Sequence, residues 1–90
     1  MAQGIIVNPE QLAALGSCFT SESGNVHDLT ARIAGQLEQT QWEGHVADTF
    51  RQDWSGTYAP MLNRLSEALQ QAAGDIQNAL NRALTADGQA

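Results

Sequence analysis

The side chains that could support catalysis or metal binding are few in this sequence and lie far apart. His27 and His45 would be about 27 Å apart along a continuous helix, so one subunit cannot bring both to a single metal ion. His45 and Asp48 are one helical turn apart, but the sequence indicates no nucleophile that this pair would activate. Cys18 is the single cysteine, which excludes an intramolecular disulfide and a cysteine-based metal site. We therefore predict a protein that is not an enzyme and that has no cofactor and no metal.

The charge balance and the aromatic residues limit the partners of the protein. The chain has 90 residues, of which 4 are basic and 10 acidic, and its net charge is −6 at pH 7. Such a surface repels phosphate backbones and anionic lipid headgroups, so we expect no nucleic-acid partner. Trp54 and Tyr58 lie one helical turn apart, which on an acidic chain indicates packing against apolar side chains rather than base stacking.

The sequence has neither a membrane-spanning pattern nor a Sec-type start. Its longest run of Ile, Leu or Val is three residues, from Ile5 to Val7, whereas a span needs about 20 apolar residues. The first residues lack the basic opening and the apolar stretch of about 7 to 15 residues that a Sec signal peptide has. If the protein leaves the cell, we expect it to use another route.

Two long amphipathic patterns predict an all-α chain, and the first begins with a strong start signal. Asn8-Pro9-Glu10-Gln11 combines an N-cap asparagine, a proline at the first helical position and a capping-box glutamine, so helix one is predicted over residues 9–40. Its apolar residues recur at steps of three, four and seven and share one face: they are Leu12, Leu15, Phe19, Val26, Leu29, Ile33 and Leu37. Residues 20–25 are weak helix formers, so a short loop there, giving three helices, is the alternative. The unbroken phase of the apolar face favours one continuous helix.

The second pattern follows a hinge that is predicted over residues 41–45. Helix two is predicted over residues 46–86, with Val46, Phe50, Trp54, Tyr58, Leu62, Leu65, Leu69, Ile76 and Leu80 on its apolar face. Pro60 lies inside this helix and cannot donate to the carbonyl of Gly56, four residues earlier. Because glycine leaves room for the proline ring, we expect a bend near Pro60 and no break.

Two helices joined by about five residues must be antiparallel neighbours, which predicts a single hairpin domain over residues 1–90. A lone helix pair has no interior, and each apolar face is wider than one facing helix covers. We therefore predict an antiparallel helix-turn-helix hairpin that dimerises into a four-helix bundle, through an interface of about 2,000 Å² or more. The predicted dimer-interface residues are Leu12, Leu15, Phe19, Val26, Leu29, Ile33, Phe50, Trp54, Tyr58, Leu62, Leu65, Leu69 and Ile76.

The predicted hinge contains Trp42-Glu43-Gly44, between two amphipathic helices. A glycine here suits a chain reversal, and the tryptophan is placed to cap the end of the bundle. With Phe50 and Trp54 early in helix two, these residues make the sequence similar to the WxG family of small helical-hairpin proteins, which bacterial type VII (ESX) systems secrete. The resemblance runs from Pro9 to Asp87.

The resemblance implies a partner protein and an export route. Family members form antiparallel homodimers or heterodimers, which are delivered as folded pairs to a membrane-anchored secretion ATPase. After export, some act as effectors on host cells or membranes, and others serve mainly as the carrier of their partner. A type VII substrate or carrier would thus be made and folded in the bacterial cytoplasm and secreted without a Sec signal peptide.

The family's tail motif is a tyrosine followed four residues later by an acid, and it is incomplete in this chain. The corresponding residues are Ala83 and Asp87, so the acid is present and the tyrosine is not. In family heterodimers one subunit commonly carries the full motif beside the WxG turn of the other. The resemblance therefore favours a heterodimer with another WxG-type hairpin, in which Trp42, Gly44 and Asp87 belong to the secretion-recognition surface. A homodimer with a degenerate tail, or an ordinary solvent-facing Asp87, stays open.

The alternative function is a structural four-helix-bundle adaptor that stays in the cytoplasm, with Trp42 as a hydrophobic end plug. Membrane interaction is expected only as a weak role after export, since neither helix has the basic polar face of an interfacial helix.

Overall fold

The computed structural model describes residues 7–89, with side chains described as far as Leu84, and this part of the chain is helical without any strand. Helix α1 spans Pro9–Gln39 and helix α2 spans His45–Asp53. A π-helical turn at Trp54–Tyr58 joins α2 to helix α3, which spans Ala59–Gln89. The predicted all-α class and the helical hairpin are confirmed. None of the described helices is long and apolar enough to cross a bilayer.

Helix α1 begins and ends with defined caps and has no interruption. The side chain of Asn8 accepts a hydrogen bond of 3.1 Å from the backbone N–H of Gln11, which satisfies one of the free donors at the helix start. Residues 20–25 lie inside the helix, so the alternative loop does not form there. The helix ends when Thr40 becomes extended, with φ −83° and ψ 122°.

A π-helical turn, Trp54–Tyr58, lies just before Pro60, where the sequence predicts a bend and no break. The N–H of Ala59 bonds to the carbonyl of Trp54, five residues earlier, so this turn holds one more residue than a regular one. The proline nitrogen has no hydrogen to donate and its ring crowds the preceding turn, and the wider turn accommodates both constraints. The helical path therefore continues through Pro60, which is the second residue of α3.

Helices α1 and α3 pack side by side with their directions opposed. Ser23 of α1 contacts Ser66 of α3, and Gly16 lies against Ile76, so residue numbers fall along one helix as they rise along the other. The hairpin measures 67 × 20 × 14 Å, with a radius of gyration of 20.1 Å, compared with about 12 Å for a compact domain of this length. Large side chains are not fully enclosed anywhere in the described part. The hairpin thus has a line of contact between α1 and α3, which we call the seam, rather than an enclosed core.

Candidate functional site

Gly44 creates the reversal of the chain between α1 and α2. Its φ is 119° and its ψ is 177°, a region that is nearly closed to residues with a Cβ atom. It is the one positive φ among the described residues. No neighbouring atom lies within 4 Å of where a Cβ would stand, so the backbone conformation, and not lack of space, requires glycine. The Gly44 carbonyl then accepts the first bond of α2, from the N–H of Asp48 at 3.0 Å.

Arg51 of α2 ties the hinge, residues 40–44, to the body of the hairpin. Its guanidinium donates from Nη1 to the carbonyl of Trp42 at 2.8 Å and from Nη2 to the carbonyl of Thr40 at 3.2 Å. Helix α1 has no basic residue in its own last turn. Arg51 therefore supplies, from a different helix, the positive charge that the carbonyl end of a helix favours.

Three aromatic side chains form a continuous row on the outside of the hairpin at its hinge end. The ring centroids of Trp42 and Phe50 are 5.8 Å apart with an interplanar angle of 44°, and those of Phe50 and Tyr58 are 6.3 Å apart at 37°. These separations are in the favourable range for aromatic pairs. The three side chains are 38%, 38% and 46% exposed, in that order. We call them the aromatic row.

The π-helical turn aligns two members of the aromatic row. Phe50 and Tyr58 are eight positions apart, whereas two turns of a regular α-helix take about 7.2 residues. The extra residue held between Trp54 and Tyr58 lengthens the second turn, so that both rings lie on one side. Sequence periodicity alone did not predict this turn; the signal was Pro60 within an otherwise unbroken helical pattern.

Trp54 has a different role from Trp42, because it points into the hairpin. It is 9% exposed and lines a small cavity with Ala34 and Leu37 of α1. No Cα atom of α2 lies within 8 Å of a Cα atom of α1. The indole of Trp54 therefore occupies the wide space between the helices at the hinge end.

The predicted dimer-interface residues fall into two groups. The first group is buried or half-buried, at the spacing of the seam between α1 and α3: Leu12, Phe19, Val26, Trp54, Leu62, Leu69 and Ile76. The second group is exposed: Leu15, Leu29, Ile33, Phe50, Tyr58 and Leu65. We call the second group, together with the exposed Met61, the outer apolar face.

The outer apolar face lies on one side of the hairpin. Leu15 comes directly before Gly16, and Leu65 directly before Ser66, and both of these following residues pack across the seam. In two antiparallel helices, residues that precede seam positions point to the same side of the pair. Residues that follow seam positions point to the other side.

The opposite side of the hairpin is polar. Two shallow grooves run along it between α1 and α3, and their lining includes Thr20, His27, Asn63 and Gln70. Each of these residues directly follows a half-buried apolar residue of the seam. The hairpin is therefore amphipathic as a whole, with one apolar and one polar side.

The candidate chemical residues are not assembled into a reactive site. His27 lines a polar groove, whereas His45 begins α2 beside Val46 at the hinge. Over the described residues there is no group of three His, Cys, Asp or Glu side chains placed to hold a metal ion. Ala83 is half-buried, and the side chain of Asp87 lies outside the described part of the chain. Comparisons with protein-family models, curated proteins and solved structures found no match.

Proposed function

We propose that this protein is a non-enzymatic subunit of a helical four-helix bundle and a substrate or carrier of a type VII (ESX) secretion system. In this proposal its outer apolar face docks onto a second hairpin of the WxG type. The hinge with Trp42 is then presented at the end of the bundle to the secretion ATPase. The observation that carries the proposal is the exposed apolar side of a hairpin without a core.

The amount of exposed surface supports an obligate partner. The chain has an accessible surface of 6680 Å², whereas a compact monomer of 9.6 kDa exposes about 5,100 Å². The excess is comparable with the area that one subunit contributes to a large obligate interface, which buries 2,000 Å² or more in total. Leaving Leu29, Ile33, Tyr58 and Leu65 in water is unfavourable, and a second hairpin would cover them.

The charge of the chain supports a different partner over a second copy. A homodimer would join two chains of net charge −6 each, and such like-charged chains repel one another. Glu22 also precedes a seam residue, Ser23, so it lies on the same side as Leu15 and Leu29. Its carboxylate accepts a hydrogen bond from the side chain of Asn25 at 2.9 Å, but a carboxylate inside an interface is costly unless a positive charge also pairs with it. A partner that offers a basic or hydrogen-bonding side chain there would be favoured.

The hinge supports the secretion role. Gly44 and Arg51 fix the loop at one end of the elongated hairpin, and Trp42 is exposed there beside Phe50. The end of a bundle remains accessible after the long sides have paired, so a third protein can contact Trp42 in the folded pair.

Native mass spectrometry of the chain co-expressed with its genomic neighbour tests the pairing. We expect a one-to-one complex, and a cooperatively melting monomer at micromolar concentration would contradict the proposal. Export is tested by deleting the secretion ATPase in the source cell and measuring the protein in the medium and in the cytoplasm. Retention in the cytoplasm is expected in the deletion strain. A protein that pairs but is found in the cytoplasm of both strains would instead be the structural adaptor.

A further inference from the structure

Arg51 connects α2 to two residues of the hinge, Thr40 and Trp42. Thr40 is the capping residue directly after α1, Trp42 lies in the non-helical segment that follows, and Arg51 is in α2. The guanidinium bonds to both carbonyls, at 3.2 Å and 2.8 Å. Its planar fork of donors suits such a two-point contact, which the single ammonium group of a lysine does not reproduce.

Trp42 is anchored twice, and both anchors belong to the same turn of α2. Arg51 binds its carbonyl oxygen, and Phe50, the preceding residue, contacts its ring at 5.8 Å between centroids. An exposed tryptophan on a non-helical segment would otherwise sample several backbone and side-chain conformations. The two anchors restrict Trp42 to one of these conformations.

The other arginines do not make a comparable contact within the described residues. Arg82 donates to the carbonyl of Asn78, one turn earlier in its own helix, at 3.4 Å. Hydrogen bonds that join separate parts of the chain are made by Arg51 and by the Ser23–Ser66 pair. Arg51 is the charged member of this set, and it is located at the hinge.

We infer that Arg51 is a positioning residue, which holds the hinge in a single arrangement and presents Trp42 as a preformed recognition surface. Ordering a flexible loop on binding has an entropic cost that weakens association, and a loop that is already ordered avoids this cost. The geometry of the two hydrogen bonds alone supports the role of Arg51 in holding the hinge backbone. Its consequence for recognition rests on the proposed function, in which Trp42 is the contacted residue.

The test uses the full chain, in complex with its partner where one copurifies, and compares Arg51→Met with Arg64→Met. Both variants remove one arginine, but Arg64 is exposed on α3, away from the hinge. Native-state cleavage by a glutamate-specific protease reports opening of the hinge at Glu43, since the fragments are identified by mass. We expect cleavage at Glu43 to be about tenfold faster in Arg51→Met, because two charge-assisted hydrogen bonds are lost. The rate in Arg64→Met should equal that of the unmodified chain.

Arg51→Lys keeps the charge and the apolar stem, so it replaces Arg51→Met in the cleavage test if that variant is too unstable to purify. It should cleave at an intermediate rate, and the indole N–H resonance of Trp42 should broaden or shift in both Arg51 variants. Unchanged cleavage and an unchanged Trp42 resonance in the Arg51 variants would overturn the inference.

Export separates this inference from the proposed function. If Trp42→Ala and Arg51→Met both reduce export, the positioning role is supported. If Trp42→Ala blocks export while Arg51→Met, with an open hinge, is exported normally, the positioning role for recognition is overturned and the proposed function stands. If Trp42→Ala is exported normally, the proposed recognition role fails, and the cleavage rates still decide whether Arg51 holds the hinge.

Discussion

Ser23 and Ser66 bind each other reciprocally across the middle of the hairpin. The hydroxyl of Ser23 donates to the carbonyl of Ser66 at 2.7 Å, and the hydroxyl of Ser66 donates to the carbonyl of Ser23 at 3.0 Å. The two hydroxyl oxygens are 3.0 Å apart, and Ser23 is 3% exposed. Two helices approach this closely only where the side chains are small. The pair therefore fixes the register of α1 against α3.

Replacing either serine of this pair by alanine should destabilise the protein by about 1 kcal/mol, the usual net value of a hydrogen bond of this kind. The double variant Ser23→Ala, Ser66→Ala should lose less than the sum of the two single losses, because the hydroxyls share one network. Urea unfolding at a fixed protein concentration measures these free energies. Ser21→Ala is the control, since Ser21 is exposed on α1. Equal effects at Ser21 and Ser23 would contradict the role of the pair.

Gly44→Ala should destabilise the protein by about 1–3 kcal/mol, because alanine is strained at this combination of φ and ψ. Gly24→Ala should instead be stabilising by about 0.5–1 kcal/mol, since Gly24 lies inside α1 and alanine is the better helix former. A new Cβ would find no neighbour within 4 Å at either position, so a steric clash does not distinguish the two variants. Thermal unfolding of both variants is the measurement. A stabilising Gly44→Ala would show that the hinge has another conformation.

Leu65→Asp should separate association from folding of the hairpin. Leu65 is 46% exposed in the hairpin but central to the proposed docking face, so the new carboxylate should weaken pairing by at least about 100-fold. Leu69→Asp places the charge in the seam and should reduce helix content as well. Sedimentation velocity and circular dichroism distinguish the two results.

The matched control for Leu65→Asp is Gln70→Asp, which adds the same charge beside the polar grooves. This variant should pair normally. If it disrupted pairing as strongly as Leu65→Asp, the polar side of the hairpin would be the docking surface.

The two tryptophans should respond in opposite ways to truncation. Trp54→Ala empties the space between α1 and α2 and should cost about 3–5 kcal/mol of stability. Trp42→Ala removes a half-exposed ring and one aromatic contact, and should cost about 1 kcal/mol while reducing export. Chemical denaturation and quantification of the protein in the culture medium provide the comparison. The reverse ranking in stability would count against a recognition role for Trp42.

The helices themselves followed from local sequence. Asn8 and Pro9 define a helix start in any surroundings, because they satisfy or remove free N–H groups. The apolar residues recur at helical spacing on both sides of the hinge, and Gly44 permits a backbone conformation that other residues resist. These are properties of a residue and its near neighbours, so they could be read without coordinates.

The sequence by itself thus determined an all-helical chain with two apolar stripes and a glycine hinge. Only the tertiary structure decided which apolar residues face the seam and which remain outside, since this depends on the rotation of α1 against α3. That rotation is set by contacts between residues distant in sequence. One is the Ser23–Ser66 pair. The other is the close packing of Gly16 against Ile76, where a Cβ added to residue 16 would lie 3.2 Å from Cγ2 of Ile76. The hydrogen bonds of Arg51 join residues 9 and 11 positions apart across the chain reversal, and helical periodicity carries no record of them.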